Sequence, residues 1–165
     1  MLKIRNITCD YREYDSEREL DPADRELLSS AAEAARSAYA PYSGFKVGAS
    51  VRLASGVIVS GSNVENAAFP SGICAERNAL ANASANHPGD IPVSIAIMAF
   101  SADEPVPDPV SPCGNCRQVI SEEEIRNGNS IRIILGSAKK VHLIEKGGDL
   151  LPLQFSRENL KVTRR

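Results

Sequence analysis

Residues 91–100 read Ile91-Pro92-Val93-Ser94-Ile95-Ala96-Ile97-Met98-Ala99-Phe100. The run is apolar at nearly every position and shows no alternation. A strand with one face in water alternates apolar and polar residues; one without alternation is buried on both faces. Both sides of the sheet that holds this strand must therefore be covered. Upstream, helical composition runs from Ala75 through Leu80 to about Ala85 and stops at His87-Pro88-Gly89. Downstream, a loop rich in proline and acid (Ala102 to Pro109) leads to a helix from near Pro112 to about Ile125. Further out, Phe45 to Leu53 reads as a strand with Phe45, Val47, Ala49, Val51 and Leu53 on one face. Ser55-Gly56 turns it and Val57 to Val59 returns it as a hairpin. Ile131 to Leu135 and Val141 to Ile144 read as strands, and Gly147 to Leu160 as loop mixed with short helix. The first helix is capped by Asp21, has Pro22 in its first turn, and ends before Pro41. Its face is Leu27, Ala31, Ala34, Ala35 and Ala38. Helices recur between strands, so the class is α/β.

The chain has 165 residues, enough for one domain with a real core. Residues 21–165 are expected to form it, with residues 1–20 as an N-terminal extension in which Leu2 and Ile4 fit a short edge strand. The net charge is -2 and the pI about 5.7. Nucleic-acid binders carry a basic surplus, so these values oppose a polymeric nucleic-acid partner. No apolar run approaches the ~20 residues that span a bilayer, which opposes a membrane partner. The charged N-terminus lacks the apolar core of a secretory signal. A cytoplasmic location is the expectation, and disulfides are rare there. Four cysteines then need another explanation. Cys9 stands alone and is assigned no role.

The other three fall in two short segments, Cys74-Ala75-Glu76 and Pro112-Cys113-Gly114-Asn115-Cys116. Each opens an expected helix, where free N–H groups and the helix dipole favour negative charge. Thiols there deprotonate more readily, and the thiolate is the metal ligand. Cys113 and Cys116 are spaced to chelate one ion, with Cys74 approaching from the other helix. Three sulfur ligands without a fourth match a catalytic zinc site, which keeps a position open for water. Glu76, two residues past the first ligand, can lean over the metal and carry a proton. Zinc nucleobase deaminases combine these features: a His or Cys ligand, a non-ligand Glu, then Pro-Cys-x-x-Cys. Three thiolates exceed the charge of one zinc, so Arg77 and Arg117 are candidates to offset them by hydrogen bonds to sulfur. Taken singly, a CxxC pair is as compatible with a redox couple or half a zinc knuckle. Glu76 alone would pass for a solvated helix-start carboxylate. Together the segments favour a catalytic site.

The chain resembles the small homotetrameric zinc-dependent cytidine deaminases from about Glu26 to Leu160. The resemblance is carried by residues 39–49 (YAPYSGFKVGA), 61–69 (GSNVENAAF), 72–79 (GICAERNA), 111–120 (SPCGNCRQVI) and 150–155 (LLPLQF). It implies a three-layer fold, a mixed five-stranded sheet flanked by helices, and a homotetramer with sites at subunit interfaces. It implies Zn2+ on Cys74, Cys113 and Cys116, and Glu76 as the catalytic acid–base. Asn63 and Glu65 would hold the ribose, Phe45 would pack on the pyrimidine, and the backbone of Ala75 would meet the base edge. Phe155 would reach into a neighbouring subunit's site. Members often have Tyr where this chain has Phe69, the 102–109 loop is longer than in compact members, and residues 1–20 have no counterpart.

The implied activity is hydrolysis of free cytidine or deoxycytidine to the uridine form and ammonia, a step of pyrimidine salvage with a small nucleoside as substrate. Deamination of another cytosine nucleoside, such as blasticidin S, shares the zinc segments but fits the Asn63-Val64-Glu65-Asn66 loop less well. A deaminase of RNA or DNA is opposed by the acidic balance. A non-catalytic zinc scaffold has no chemical need for Glu76 or the ribose pair.

Overall fold

The structure is a computed structural model that describes residues 1–160. The last five residues of the expected 21–165 domain lie outside the described residues. The elements are β1 (Arg12–Tyr14), α1 (Pro22–Ala35), β2 (Phe45–Leu53), β3 (Ile58–Ser62), α2 (Ala75–Asn86), β4 (Pro92–Ser101), β5 (Glu104–Pro105), α3 (Gly114–Asn127), β6 (Arg132–Gly136) and β7 (Val141–Ile144). Short 3-10 turns follow β1 and recur at Phe69–Ser71, Gly147–Leu150 and Arg157–Leu160.

The sheet runs β1-β7-β6-β4-β2-β3, with β5 pairing β4. β4 is parallel to β6 and antiparallel to β2, so the sheet is mixed. β4 sits near its middle and explains the unbroken apolar run. Ile95 and Ile97 face one core with Ile133 and Leu135 of β6, beneath Ala79 and Leu80 of α2 and Ile120 of α3. Ala96 and Ile134 face a second core with Leu27, Leu28 and Ala31 of α1. One helix thus covers one face and two cover the other.

Local signals explain α1. The Asp21 side chain accepts a hydrogen bond from the Asp24 amide at 2.9 Å, with Pro22 at the first helical position. Asp24 is buried and meets Arg132 of β6 at 2.6 Å, which ties α1 to the sheet. Gly48 permits the close approach of α1 to β2. A Cβ there would lie 2.0 Å from the Ala31 carbonyl oxygen.

The sheet has seven strands rather than the five implied by the resemblance. One addition comes from the N-terminal extension. Arg12, Glu13 and Tyr14 pair with Leu143, His142 and Val141 on the edge of β7. No strand forms at Leu2 or Ile4, which are fully exposed. Polar contacts line β1, with Glu13 meeting His142 at 2.6 Å and Lys140 at 3.2 Å and Arg12 meeting Glu145 at 3.0 Å, and Tyr14 packs on the core beneath α1. The other addition is β5, which forms a tight hairpin with β4 inside the 102–109 loop. Ala102 and Asp103 take left-handed φ values of 51° and 65° there. Asp103 is tied to Lys46 at 2.6 Å.

Candidate active site

Cys74 and Cys113 are the residues that cap α2 and α3 at their N-termini, and Cys116 lies in the first turn of α3. The two helices share one face of the sheet, so residues 39 apart in sequence converge. The Cys74 and Cys113 sulfurs are 3.8 Å apart, and those of Cys113 and Cys116 are 3.4 Å apart. Among the described residues these three form the one group of potential metal donors whose atoms all lie within 4.8 Å of one another. Cys116 is buried, Cys74 half-buried and Cys113 exposed, so the cluster opens on one side.

Electrostatics tests whether a cation fits. Burial, then the nearby Glu76 carboxylate, pushes the Cys116 thiol far up. Burial also raises Cys74. Burial works against Cys113 too, but the Cys116 amide, the two neighbouring thiols and the Asn115 amide hold it below its ordinary value. Two of three thiols therefore resist ionisation when only protein surrounds them. A divalent cation inverts this balance, since its ligand is the thiolate. An all-sulfur set of three donors fits zinc.

The cluster lies at the wall of a cleft of about 640 Å³. Glu76 lines it and is only 6% exposed. Burial raises its carboxyl above the ordinary range, against pulls from its own backbone amide and the Cys116 thiol. Phe45, Asn63, Glu65 and Ala75 line the same cleft. Asn63 is fixed by strand backbone: its Oδ1 accepts from the Val47 amide at 2.7 Å, and its Nδ2 donates to the Phe45 carbonyl at 3.0 Å. One Glu65 oxygen accepts from the Ser43 hydroxyl at 2.5 Å and the other from the Tyr42 amide at 2.9 Å. These bonds hold its carboxyl below the ordinary range. A carboxylate has four acceptor positions, so capacity remains for a ligand hydroxyl.

Three candidates lie elsewhere. Phe155 is 58% exposed and outside this cleft, with its carbonyl accepting from Gln118 at 2.8 Å. Arg77 is half-buried in the first turn of α2 and, among the described residues, makes no side-chain hydrogen bond. The Arg117 guanidinium donates to two backbone carbonyls, Pro112 at 2.7 Å and Leu150 at 3.0 Å, rather than to sulfur. Sequence reasoning missed Ser43, which also accepts from the Phe45 amide at 2.9 Å. A serine two residues before a strand is a recognisable turn signal. It missed Val110 in the cleft wall, which no motif covers, and assigned no role to Ser111, the first residue of the 111–120 segment, which also lines the cleft.

The chain is similar to known proteins in sequence and fold. The family model described as the cytidine and deoxycytidylate deaminase zinc-binding region matches residues 22–129. The chain belongs to that family. The family match begins after the N-terminal extension and includes all three cysteines and Glu76. A cytidine deaminase of Sporosarcina psychrophila is 39% identical over 137 residues, 81% of this chain and 92% of its own. One of Halalkalibacterium halodurans is 43% identical over 100 residues, 60% of this chain and 71% of its own. Among solved structures, cytidine deaminase from Burkholderia pseudomallei aligns with a TM-score of 0.67 at 37% identity, covering 79% of this chain and 97% of that one. The Mycobacterium tuberculosis enzyme aligns at 0.64 and 30%, covering 84% and 99%.

Proposed function

We propose that the protein hydrolyses free cytidine, deoxycytidine or both to the uridine form and ammonia, with zinc on Cys74, Cys113 and Cys116. The observation that carries this reading is a buried carboxylate, Glu76, beside a three-thiol cluster in a nucleoside-sized cleft. Bound zinc supplies Lewis acidity that makes a water ligand easier to deprotonate. Glu76 takes the proton of the attacking water and passes it to N3 as the oxygen bonds to C4. It then takes the proton of the new C4 hydroxyl and delivers it to the amino group, which leaves as ammonia as C4 becomes a carbonyl. A carboxyl raised by burial suits this, because it must give up the proton as readily as it takes it.

Phe45 packs on the pyrimidine and the Ala75 backbone meets its edge. Asn63 and Glu65 hold the ribose, with Glu65 accepting from a sugar hydroxyl. Among the described lining residues there is no Lys or Arg, and the carboxylates are Glu65 and Glu76. A 5′-phosphate would enter without a cationic partner, which favours a nucleoside over a nucleotide or a polymer. Arg77, next to Glu76, offsets part of the thiolate charge. The protein acts as a homotetramer in which the exposed Phe155 completes a neighbour's site. Its place is cytoplasmic pyrimidine salvage; among the described residues no helix is long and apolar enough to cross a membrane.

The test is absorbance loss near the cytidine band after adding purified protein to cytidine, deoxycytidine or deoxycytidylate, with zinc counted in the same sample. Turnover of a free nucleoside but not of deoxycytidylate, with about one zinc per three-ligand site, is expected. No turnover of either nucleoside by zinc-loaded protein overturns the proposal.

A further inference from the structure

Arg117 bonds to two chain segments, one of which leads into the thiol pair Cys113 and Cys116. It follows Cys116 directly, in the first turns of α3. Its Nε–H donates to the carbonyl of Pro112, the residue before Cys113, at 2.7 Å. Its Nη1 donates to the carbonyl of Leu150, far along the chain, at 3.0 Å. The first bond closes a loop around Cys113 and Cys116; the second fastens that loop to residues 147–155. Further along α3, Gln118 donates to the Phe155 carbonyl, Ser121 donates to the Gln154 side chain, and Glu124 accepts from the Gly147 and Gly148 amides. Those contacts hold the segment without touching Pro112. Among the described residues, Arg117 is the side chain whose hydrogen bonds reach both.

We propose that Arg117 is a positioning residue that couples zinc retention by Cys113 and Cys116 to the docking of residues 147–155. The inference rests on the reading of the three thiols as zinc ligands. Pro112 is fully buried, so its carbonyl has little access to water once the guanidinium is gone. The peptide between Pro112 and Cys113 would rotate to find a donor, and Cys113 would move with it. A lysine carries its charge on one ammonium and lacks the planar fork that serves two fixed carbonyls at once. The coupling is reciprocal by linkage: an ion that restrains residues 113–116 also restrains Leu150. The segment carries Phe155, so the same residue joins the metal helix to the part of the chain proposed to enter a neighbour's site.

The experiment compares zinc-loaded wild type with Arg117→Lys, Arg117→Ala and Arg126→Ala, the last removing an exposed arginine from the far end of α3. Zinc release to a chromophoric chelator is followed with time. Deuterium uptake across residues 147–155 is measured before and after zinc removal. Both arginine-117 variants should release zinc about 10–100-fold faster, the range for loss of a group that orients a metal ligand, and Arg126→Ala at the wild-type rate. In wild type, zinc removal should speed exchange across 147–155; in Arg117→Lys that zinc dependence should vanish. Wild-type release rates in Arg117→Lys overturn the coupling, as does zinc-independent exchange in wild type. If Arg117→Ala does not fold, the lysine variant and the wild-type exchange still decide. Wild type that holds no zinc overturns this inference and the zinc reading together. Wild type that holds zinc but does not deaminate overturns the activity alone, and the release rates still decide the coupling.

Discussion

Replacing Glu124 should cost stability in a graded way. The side chain is 8% exposed on α3 and accepts three backbone hydrogen bonds. Oε1 takes the Ile131 amide at 2.7 Å and the Gly147 amide at 2.8 Å, and Oε2 takes the Gly148 amide at 2.9 Å. Gly147 also donates to the Ile131 carbonyl at 3.0 Å, so it keeps a partner in any variant. Glu124→Ala leaves the Ile131 amide buried and unpaired and releases Gly148, which is half-buried and open to water. One stranded donor costs about 1–3 kcal/mol, and bonds to a charged acceptor are at the strong end. The expected loss is about 3 kcal/mol. Glu124→Gln can keep its oxygen on Ile131 and Gly147 but turns a donor toward Gly148, for a loss of about 1–2 kcal/mol. Urea unfolding read by circular dichroism, at equal protein concentration and zinc content, measures both. With a slope of about 2 kcal/mol per molar, the alanine midpoint should fall by about 1.5 M. An alanine variant within about 1 kcal/mol of wild type at unchanged slope, or a glutamine variant less stable than the alanine one, would refute this account.

Glu76→Gln should retain zinc and lose about 10²–10⁴-fold in turnover, the usual contribution of a positioned acid–base; near-normal kcat with full zinc sinks that assignment. Zinc removal at neutral pH should abolish turnover reversibly and change thiol labelling. Cys9, exposed and remote from the cluster in sequence, should react in both forms, exposed Cys113 only after chelation, and buried Cys116 last; Cys113 labelling in zinc-loaded protein would contradict it. The Glu13 carboxyl is held below its ordinary value of 4.5 by hydrogen bonds from His142 and Lys140. Its contribution to docking β1 is therefore fully present above about pH 4.5 and lost as pH falls through the folded-state value. Deuterium exchange at Arg12–Tyr14 should accelerate on acidification beyond the intrinsic pH effect, and Glu13→Gln should remove that excess; equal profiles would count against the latch.

Much of the architecture was legible locally. β2 begins and ends at Phe45 and Leu53 as its alternation says, and α1 starts where Asp21 and Pro22 place it. α2 ends where His87-Pro88-Gly89 interrupts it. The misses share a cause. Arg12–Tyr14 is too short to show a periodicity: Tyr14 packs on the core beneath α1, Arg12 and Glu13 are exposed, and the strand pairs with the open edge of β7. Ala102 is not a residue that announces a left-handed turn, and Asp103, which does tolerate one, lacks the glycine that usually follows it in such a turn, so the β4–β5 hairpin looked like plain loop. Ala38 fits the α1 face by spacing but lies past the helix end.

The same division holds at the site. Residue types and short spacings by themselves determined that Cys74, Cys113 and Cys116 can bind a metal from helix starts with Glu76 alongside. That follows from the chemistry of thiolates and from helix geometry, both local. Only the tertiary structure decided which atoms meet. It brought two helix ends to one face of the sheet, buried Glu76 and Cys116, and left Cys113 open to the cleft. It also turned Arg117 away from sulfur toward the carbonyls of Pro112 and Leu150. A guanidinium goes to the strongest unpaired acceptors within reach, and those are set by chain segments far apart in sequence, which no spacing rule encodes.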